Sequence, residues 1–257
     1  MKNAEKTIYD YPLYYDVLFS WDRDDEADFY DAVFHHSGLG DDDKIIEVGC
    51  GTGQVAIRLA ERGWRVAGLD KRQPMLAYLE RAAAKARVTA LTICADMSGF
   101  TTNELFDGAC CPMSSFRLLP DDQAAASHLR AMTRAVRHGG VYVLDMAFAA
   151  PDAPEITPSV GTWTMKRGGI TVSAEEDKVR VEDLDRGIGM VVGWGEGPLR
   201  EYTSEHFCRL VEAVGAFAVT GWHPVHRTTE DGISVFDVRC QTRPPVVGRT
   251  MVVLKRV

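Results

Sequence analysis

The segment Glu47-Val48-Gly49-Cys50-Gly51-Thr52-Gly53 holds the clearest chemical content of the chain. It follows a β-branched apolar run, Lys44 to Val48, and precedes a stretch with helical spacing, Gln54 to Arg62. Glycines at a strand-to-helix turn let the backbone pass close to a ligand, and the start of the helix presents free N–H groups. The spacing is Gly-x-Gly-x-Gly. A dinucleotide fingerprint, Gly-x-Gly-x-x-Gly, would need a glycine where Gln54 stands. Glu47, two residues before the first glycine, would repel a pyrophosphate and attract a ligand that carries ammonium and sulfonium charge.

Two carboxylates extend this pattern. Asp70 stands 21 residues after Gly49, at the end of a second apolar run, where it can accept hydrogen bonds from both hydroxyls of a ribose. Asp96 follows a third run, in Cys94-Ala95-Asp96-Met97, where it is either a turn former or an acceptor for an adenine amino group. Met97 and Met75 offer soft apolar surface for a ring. Proton acceptors are sought among the histidines. His223 and His226 follow a late strand, whereas His128 and His138, in or after a helix, read as solvated. Arg117 is a surface arginine or a guide for an anionic substrate. Tyr9, Tyr11, Tyr14, Tyr15, Phe19 and Trp21 crowd the N-terminus, either as the apolar face of a helix or as a lid.

These residues need elements to hold them. Strands are expected at 44–48, 64–69, 88–94, 106–111 and 141–145, and helices at 54–62, 73–86 and 121–137, the last ended by Gly139-Gly140. Alternating strands and helices imply parallel pairing with right-handed crossovers. The fold class is therefore α/β, a Rossmann-like doubly wound sheet. Turn residues Arg167-Gly168-Gly169 and Asp185-Arg186-Gly187 mark two hairpins, a small antiparallel sheet inserted after the fifth strand. A helix capped by Thr203 or Ser204 and closed by Gly215 follows, then strands at 217–222, 234–240 and 250–255. The organisation read from this is a helical lid over 1–40, a binding core over 41–150, a substrate-side insertion over 151–200 and a completion of the core sheet over 201–257.

In this order the motifs resemble class I S-adenosylmethionine-dependent methyltransferases: the glycine loop, Asp70, Asp96-Met97, and Cys111-Pro112-Met113-Ser114-Ser115 after the fourth strand. The tyrosine-rich N-terminus and the antiparallel insertion are similar, more loosely, to small-molecule N-methyltransferases that act on amino sugars. The resemblance implies that S-adenosylmethionine is the cofactor and S-adenosylhomocysteine the product. It implies that Gly49, Cys50 and Gly51 line the cofactor, that Asp70 holds the ribose, that Asp96 and Met97 hold the adenine, and that Met113 faces the methionine part. The expected cofactor site comprises Tyr15, Glu47, Gly49, Cys50, Gly51, Gly53, Asp70, Lys71, Met75, Asp96, Met97 and Met113. Tyr15, His223 and His226 are the catalytic candidates.

Composition excludes several alternatives. The formal net charge of the 257 residues is -8, with no basic block, which disfavours nucleic acid as a partner. No Asn/Asp-Pro-Pro-aromatic motif follows the fourth strand. Cys111-Pro112 inverts the Pro-Cys order of cytosine-C5 enzymes. The fourth strand ends without carboxylates, so no metal is expected. No apolar stretch reaches bilayer length and the N-terminus has no signal-peptide core. The six cysteines form no Cys-x-x-Cys pair, as for reduced thiols of a cytoplasmic protein. A methyl transferred to nitrogen or oxygen of a small molecule is the expected reaction. An inactive cofactor-binding protein and a nicotinamide-dependent oxidoreductase are the rivals, and a homodimer is an open alternative to a monomer.

Overall fold

The computed structural model describes residues 6–257 apart from Asp22, residues 158–160, Glu196 and residues 228–233. Residues 1–5 of the expected lid lie outside the described residues. The N-terminal segment forms a 3-10 turn at Ile8–Asp10, then α1 (Pro12–Leu18) and α2 (Asp24–His36). The core follows as β1 (Lys44–Val48), α3 (Gln54–Glu61), β2 (Arg65–Asp70), α4 (Gln73–Ala86), β3 (Ala90–Cys94), β4 (Phe106–Cys111), a 3-10 turn at Ser115–Leu118, α5 (Asp122–Ala135) and β5 (Val136–Phe148). The insertion holds β6 (Ile156–Thr157), β7 (Trp163–Arg167), β8 (Ile170–Glu175), β9 (Lys178–Asp183), β10 (Ile188–Gly193) and β11 (Leu199–Arg200). The chain ends with α6 (Ser204–Val214), β12 (Phe217–Arg227), β13 (Ser234–Phe236) and β14 (Gly248–Arg256).

Eight strands make one sheet in the order β13-β12-β14-β5-β4-β1-β2-β3. β1 to β5 pair in parallel, and β14 enters antiparallel between β5 and β12. β1 is apolar on both faces because helices cover both. On one face α5 and α6 bury Leu129, Met132, Phe207 and Val211. On the other, α2, α3 and α4 bury Phe34, Leu59 and Leu79. This is the doubly wound α/β architecture expected from the strand and helix periodicities. Capping matches as well. The Asp121 carboxylate accepts from Ala124 N–H (2.7 Å), Thr203 Oγ1 accepts from His206 N–H (3.1 Å), and Gly215 closes α6 at φ +68°.

The inserted sheet runs β10-β9-β8-β7, wholly antiparallel. Alternate residues of β8 and β9, including Val172, Val179 and Val181, turn inward and bury against Val17, Leu18 and Phe19 of the α1 segment. The N-terminal helix and the insertion therefore share a core separate from those on the two faces of the main sheet.

Three expectations need correction. α5 stops at Ala135 and the chain passes straight into a 13-residue β5. Gly139 and Gly140 lie within that strand, where a Cβ at Gly140 would stand 2.6 Å from the Asp107 carbonyl. They accommodate an irregularity in the pairing with β4 and do not terminate the helix. β13 covers only Ser234–Phe236, short of the expected 234–240. His128 is fully buried and not solvated. Its Nδ1 donates to the Met97 carbonyl (2.8 Å) and its Nε2 accepts from Tyr142 OH (2.7 Å), the only tautomer that satisfies both partners.

Two outcomes test this packing. Gly53 sits at φ +76°, and a Cβ there would overlap Leu79 Cδ1 of α4. Gly53→Ala is expected to cost about 2–4 kcal/mol in urea unfolding, from left-handed strain and overpacking together. Burial pushes the His128 imidazole from its ordinary 6.5 down to about 4. The unfolded chain therefore takes up a proton before the folded one does, and stability falls as the pH drops from about 6.5 to about 4. His128→Gln should remove that part of the pH dependence; an unchanged acid limb would sink the assignment.

Candidate active site

A cleft of about 270 Å³ opens at the carboxyl ends of the parallel strands. Gly49 and Gly51 come from the end of β1, Asp70 and Lys71 from β2, Asp96 and Met97 from β3, and Ser115 follows β4. The order of strands reverses between β1 and β4, and ligands of open α/β sheets bind at such a switch point.

The glycine loop is built for close approach. Gly49 has φ +69° and Gly51 φ +53°. A Cβ on Gly49 would lie 3.3 Å from Ser115 Cβ, and one on Gly51 would lie 3.3 Å from the Tyr15 ring. The Asp70 carboxylate holds the loop in place. Its Oδ2 accepts from Gly51 N–H (2.9 Å) and its Oδ1 from Arg72 N–H (2.8 Å). Burial raises the Asp70 pKa, and these two donors offset part of that rise. Asp96 Oδ1 accepts from Ser98 N–H (2.8 Å), and Ser98 holds the Asp96 carboxyl below its ordinary range.

Tyr15 of α1 lies across the loop and walls a second, smaller cavity of about 40 Å³. Glu47, Cys50, Met113 and Arg23 complete that cavity. Met113 and Ser114 both adopt φ +56°, a left-handed pair of non-glycine residues directly after Pro112. Strain of this kind persists where surrounding structure over-determines it. Arg23 is 2% exposed. Its guanidinium pairs with Glu26 (2.6 Å), donates to Met113 Sδ (2.6 Å) and lies over the Trp21 ring at 4.8 Å. Burial pushes the Glu47 carboxyl up to about 8, although Ala56 N–H donates to it at 2.7 Å.

The structure gathers Tyr15, Glu47, Gly49, Cys50, Gly51, Asp70, Lys71, Asp96, Met97 and Met113 around these two joined cavities. It does not bring the other candidates there. Gly53 faces Leu79, so its conformation serves the packing of α3 on α4. Met75 is fully buried in the first turn of α4 and is not part of the lining. His223 packs edge-on against Phe29 (5.3 Å) with Nδ1 facing the Asp237 carbonyl (3.1 Å), in a groove under α2. His226 is exposed on β12 opposite Val235. Both lie three strands from the glycine loop, across β14, β5 and β4, so neither reaches the cleft. Arg117 is buried, pairs with Glu201 (2.5 Å) and donates to the Arg200 carbonyl (2.8 Å), a structural tie and not a guide for substrate. Sequence reasoning missed Arg23 and Ser115. Ser115 was within reach, since it ends the quoted Met-Ser-Ser stretch, but nothing local marks Arg23.

Residues 45–140 match the family model described as a methyltransferase domain. The fold agrees with that of a S-adenosylmethionine-dependent methyltransferase from Clostridium acetobutylicum, at a TM-score of 0.72 and 16% identity, covering 97% of this chain and 98% of that one. It also agrees with CalS10, an amino pentose methyltransferase from Micromonospora echinaspora, at a TM-score of 0.62 and 21% identity over the whole of both chains. Residues 45–140 are thus similar to a methyltransferase domain, and the chain shares its fold with S-adenosylmethionine-dependent methyltransferases. In sequence it is 29% identical over 140 residues to the cypemycin N-terminal methyltransferase of a Streptomyces species, which is 52% of this chain and 55% of that protein. The chain thus spans about half the length of the curated relatives it matches.

The residues fit the cofactor of that family. The glycine cradle would be filled by side chains on Gly49 or Gly51, and two carboxylates, the half-buried Asp70 in the larger cavity and the buried Glu47 in the smaller, offer acceptors to a ligand that carries hydroxyls and positive charge. The raised Glu47 carboxyl has a thermodynamic consequence. Near pH 7 it holds its proton, and a cation placed beside it favours ionisation. Binding of S-adenosylmethionine is therefore expected to release a proton below about pH 8. Calorimetry in buffers of different ionisation enthalpy reads this directly, and the buffer dependence should vanish in Glu47→Gln.

Proposed function

We propose that the protein transfers a methyl group from S-adenosylmethionine to a nitrogen of a small amine-bearing molecule. The observation that carries this reading is the joined pair of cavities, with Asp70 at one end, Glu47 and Met113 at the other, and Tyr15 as the roof between them. S-adenosylmethionine supplies a methyl group already activated by its sulfonium, and leaves as S-adenosylhomocysteine. The chain has to orient the acceptor and keep water out. In this reading Asp70 accepts from the ribose, with Lys71 at its side. Asp96 and Met97 hold the adenine. Glu47 compensates positive charge at the methionine end. Tyr15 closes the cleft and can hold the methionine carboxylate or the acceptor through its phenol. Arg23 is a second donor for that carboxylate.

The choice of nitrogen has its own support. Among the described residues no histidine lines either cavity. An oxygen acceptor needs a base during attack, whereas an amine can enter as the free base and lose its proton afterwards. CalS10 is named an amino pentose methyltransferase and the Streptomyces relative a cypemycin N-terminal methyltransferase, and both names support an amine-bearing acceptor. Residues 1–40 act as the lid, 41–150 as the cofactor core, 151–200 as the acceptor-side wall and 201–257 as the closing part of the sheet. The cysteines are free thiols, in keeping with a cytoplasmic enzyme. Among the described residues no helix is long and apolar enough to cross a membrane. The formal net charge of -8 argues against a nucleic-acid acceptor.

Calorimetric titration with S-adenosylmethionine, S-adenosylhomocysteine and NADH is the test. Both adenosyl ligands should bind and NADH should not. Asp70→Ala should weaken the adenosyl ligands roughly 10-fold or more, as loss of a charged hydrogen-bond acceptor does. NADH binding, or no adenosyl binding, sinks the proposal. A screen of amines against phenols for S-adenosylhomocysteine formation then decides the acceptor atom, and binding without any turnover would leave a cofactor-binding protein.

A further inference from the structure

Asp16 stands one residue beyond the phenol that covers the glycine loop, and it is 8% exposed. Three other elements meet on it. Gln54 Nε2 donates to Asp16 Oδ1 (3.0 Å) and to the Asp16 main-chain carbonyl (3.0 Å). Tyr78 OH donates to Oδ2 (2.9 Å), and Arg167 Nη1 donates to the same oxygen (2.7 Å). Gln54 is the first residue of α3, directly after the glycine loop. Tyr78 lies on α4, the helix that follows Asp70. Arg167 ends β7 of the inserted sheet. One carboxylate thus joins the lid helix, both helices that lead away from the cleft and the insertion. A single arginine balances its charge, and two neutral donors complete its shell.

The geometry points to Asp16 as a positioning residue for the cofactor site: it holds Tyr15 across Gly51 and couples that placement to the inserted sheet through Arg167. This rests on the reading of the cleft as a S-adenosylmethionine site. Tyr15 borders both cavities, and a Cβ on Gly51 would already press against its ring, so a shift of α1 widens the path of an adenosyl ligand past Tyr15. That shift breaks the bonds from Gln54 and Tyr78 to Asp16. The Asp16 contacts therefore set the rate of cofactor exchange. Arg167 lines neither cavity, so its influence on the cofactor passes through Asp16. Gln54 gains a role as well: the side chain that stands in place of a third glycine clamps the lid.

Release of radiolabelled S-adenosylhomocysteine, chased with unlabelled S-adenosylmethionine, tests the coupling, with a melting curve for every variant. Asp16→Asn and Arg167→Met should each release the ligand roughly 10-fold faster, the scale of one charged hydrogen bond. The double variant should be no faster than Asp16→Asn alone, because both act through one contact. The Arg167 side chain is 45% exposed, so solvent screens its pair with Asp16 and Arg167→Met should fold, with a modest loss of melting temperature, even if Asp16→Asn does not. Faster release at a temperature well below the melting transition of each variant is a readout that a purely structural role would not produce. Wild-type release rates from folded Asp16→Asn and Arg167→Met, or fully additive effects in the double variant, would overturn this inference alone. Failure of the wild-type protein to bind S-adenosylhomocysteine would overturn the cofactor reading and this inference with it.

Discussion

The Asp70 carboxylate bonded to Gly51 N–H is the contact on which the cleft depends. It fixes the end of β2 to the loop that leaves β1, and the second bond, from Arg72 N–H, sets the start of α4 in the same frame. The loop can take this path only because Gly49, Gly51 and Gly53 all adopt left-handed backbone. Of the three, Gly49 and Gly51 yield room at the cleft, while Gly53 yields it to Leu79 on the far side. A five-residue run thereby serves two purposes: approach to a ligand on one side and close packing of helices on the other.

Around that frame the charges are arranged as buried pairs. Asp145 on β5 is fully buried and takes a two-pronged contact from Arg249 on β14, at 3.0 and 2.8 Å. Arg249 also stands 3.7 Å from Glu26, which pairs with Arg23. Two cations and two anions alternate from the sheet to the N-terminal helix, and breaking one partner of such a set would leave an uncompensated charge in the interior. The last strand of the chain is thus tied to the second helix, and the wall of the smaller cavity depends on residues more than 200 positions apart.

Much of the architecture was legible because its signals are local. The core helices repeat their apolar residues on one face, as Val55, Ala56 and Leu59 do in α3, and Asp121 and Thr203 cap α5 and α6 as their residue types lead one to expect. The two hairpins of the insertion announced themselves by their turn residues, Arg167-Gly168-Gly169 and Asp185-Arg186-Gly187. The failures share a cause. Gly139-Gly140 looks like a helix stop, yet the helix had ended and the glycines fit a crowded place beside Asp107 on the neighbouring strand. His128 looks solvated on a polar stretch, yet its helix turns that side toward Tyr142 and Met97. Both depend on what lies across the sheet.

The same division holds for the site. The sequence alone determined the glycine loop, the acid that ends β2, the pair Asp96-Met97 and the methionine after β4, because each occupies a set distance from a strand end and β-strands place their ends along one edge. It also determined that a tyrosine-rich segment precedes the core. Only the tertiary structure decided that Arg23 and Glu26 pair beside Met113, that Asp16 gathers Gln54, Tyr78 and Arg167, and that three strands separate His223 and His226 from the glycine loop. The physical reason is separation along the chain. Local spacing encodes where backbone atoms go, whereas contacts between side chains 38, 62 or 151 residues apart arise only when the helices and the inserted sheet have packed.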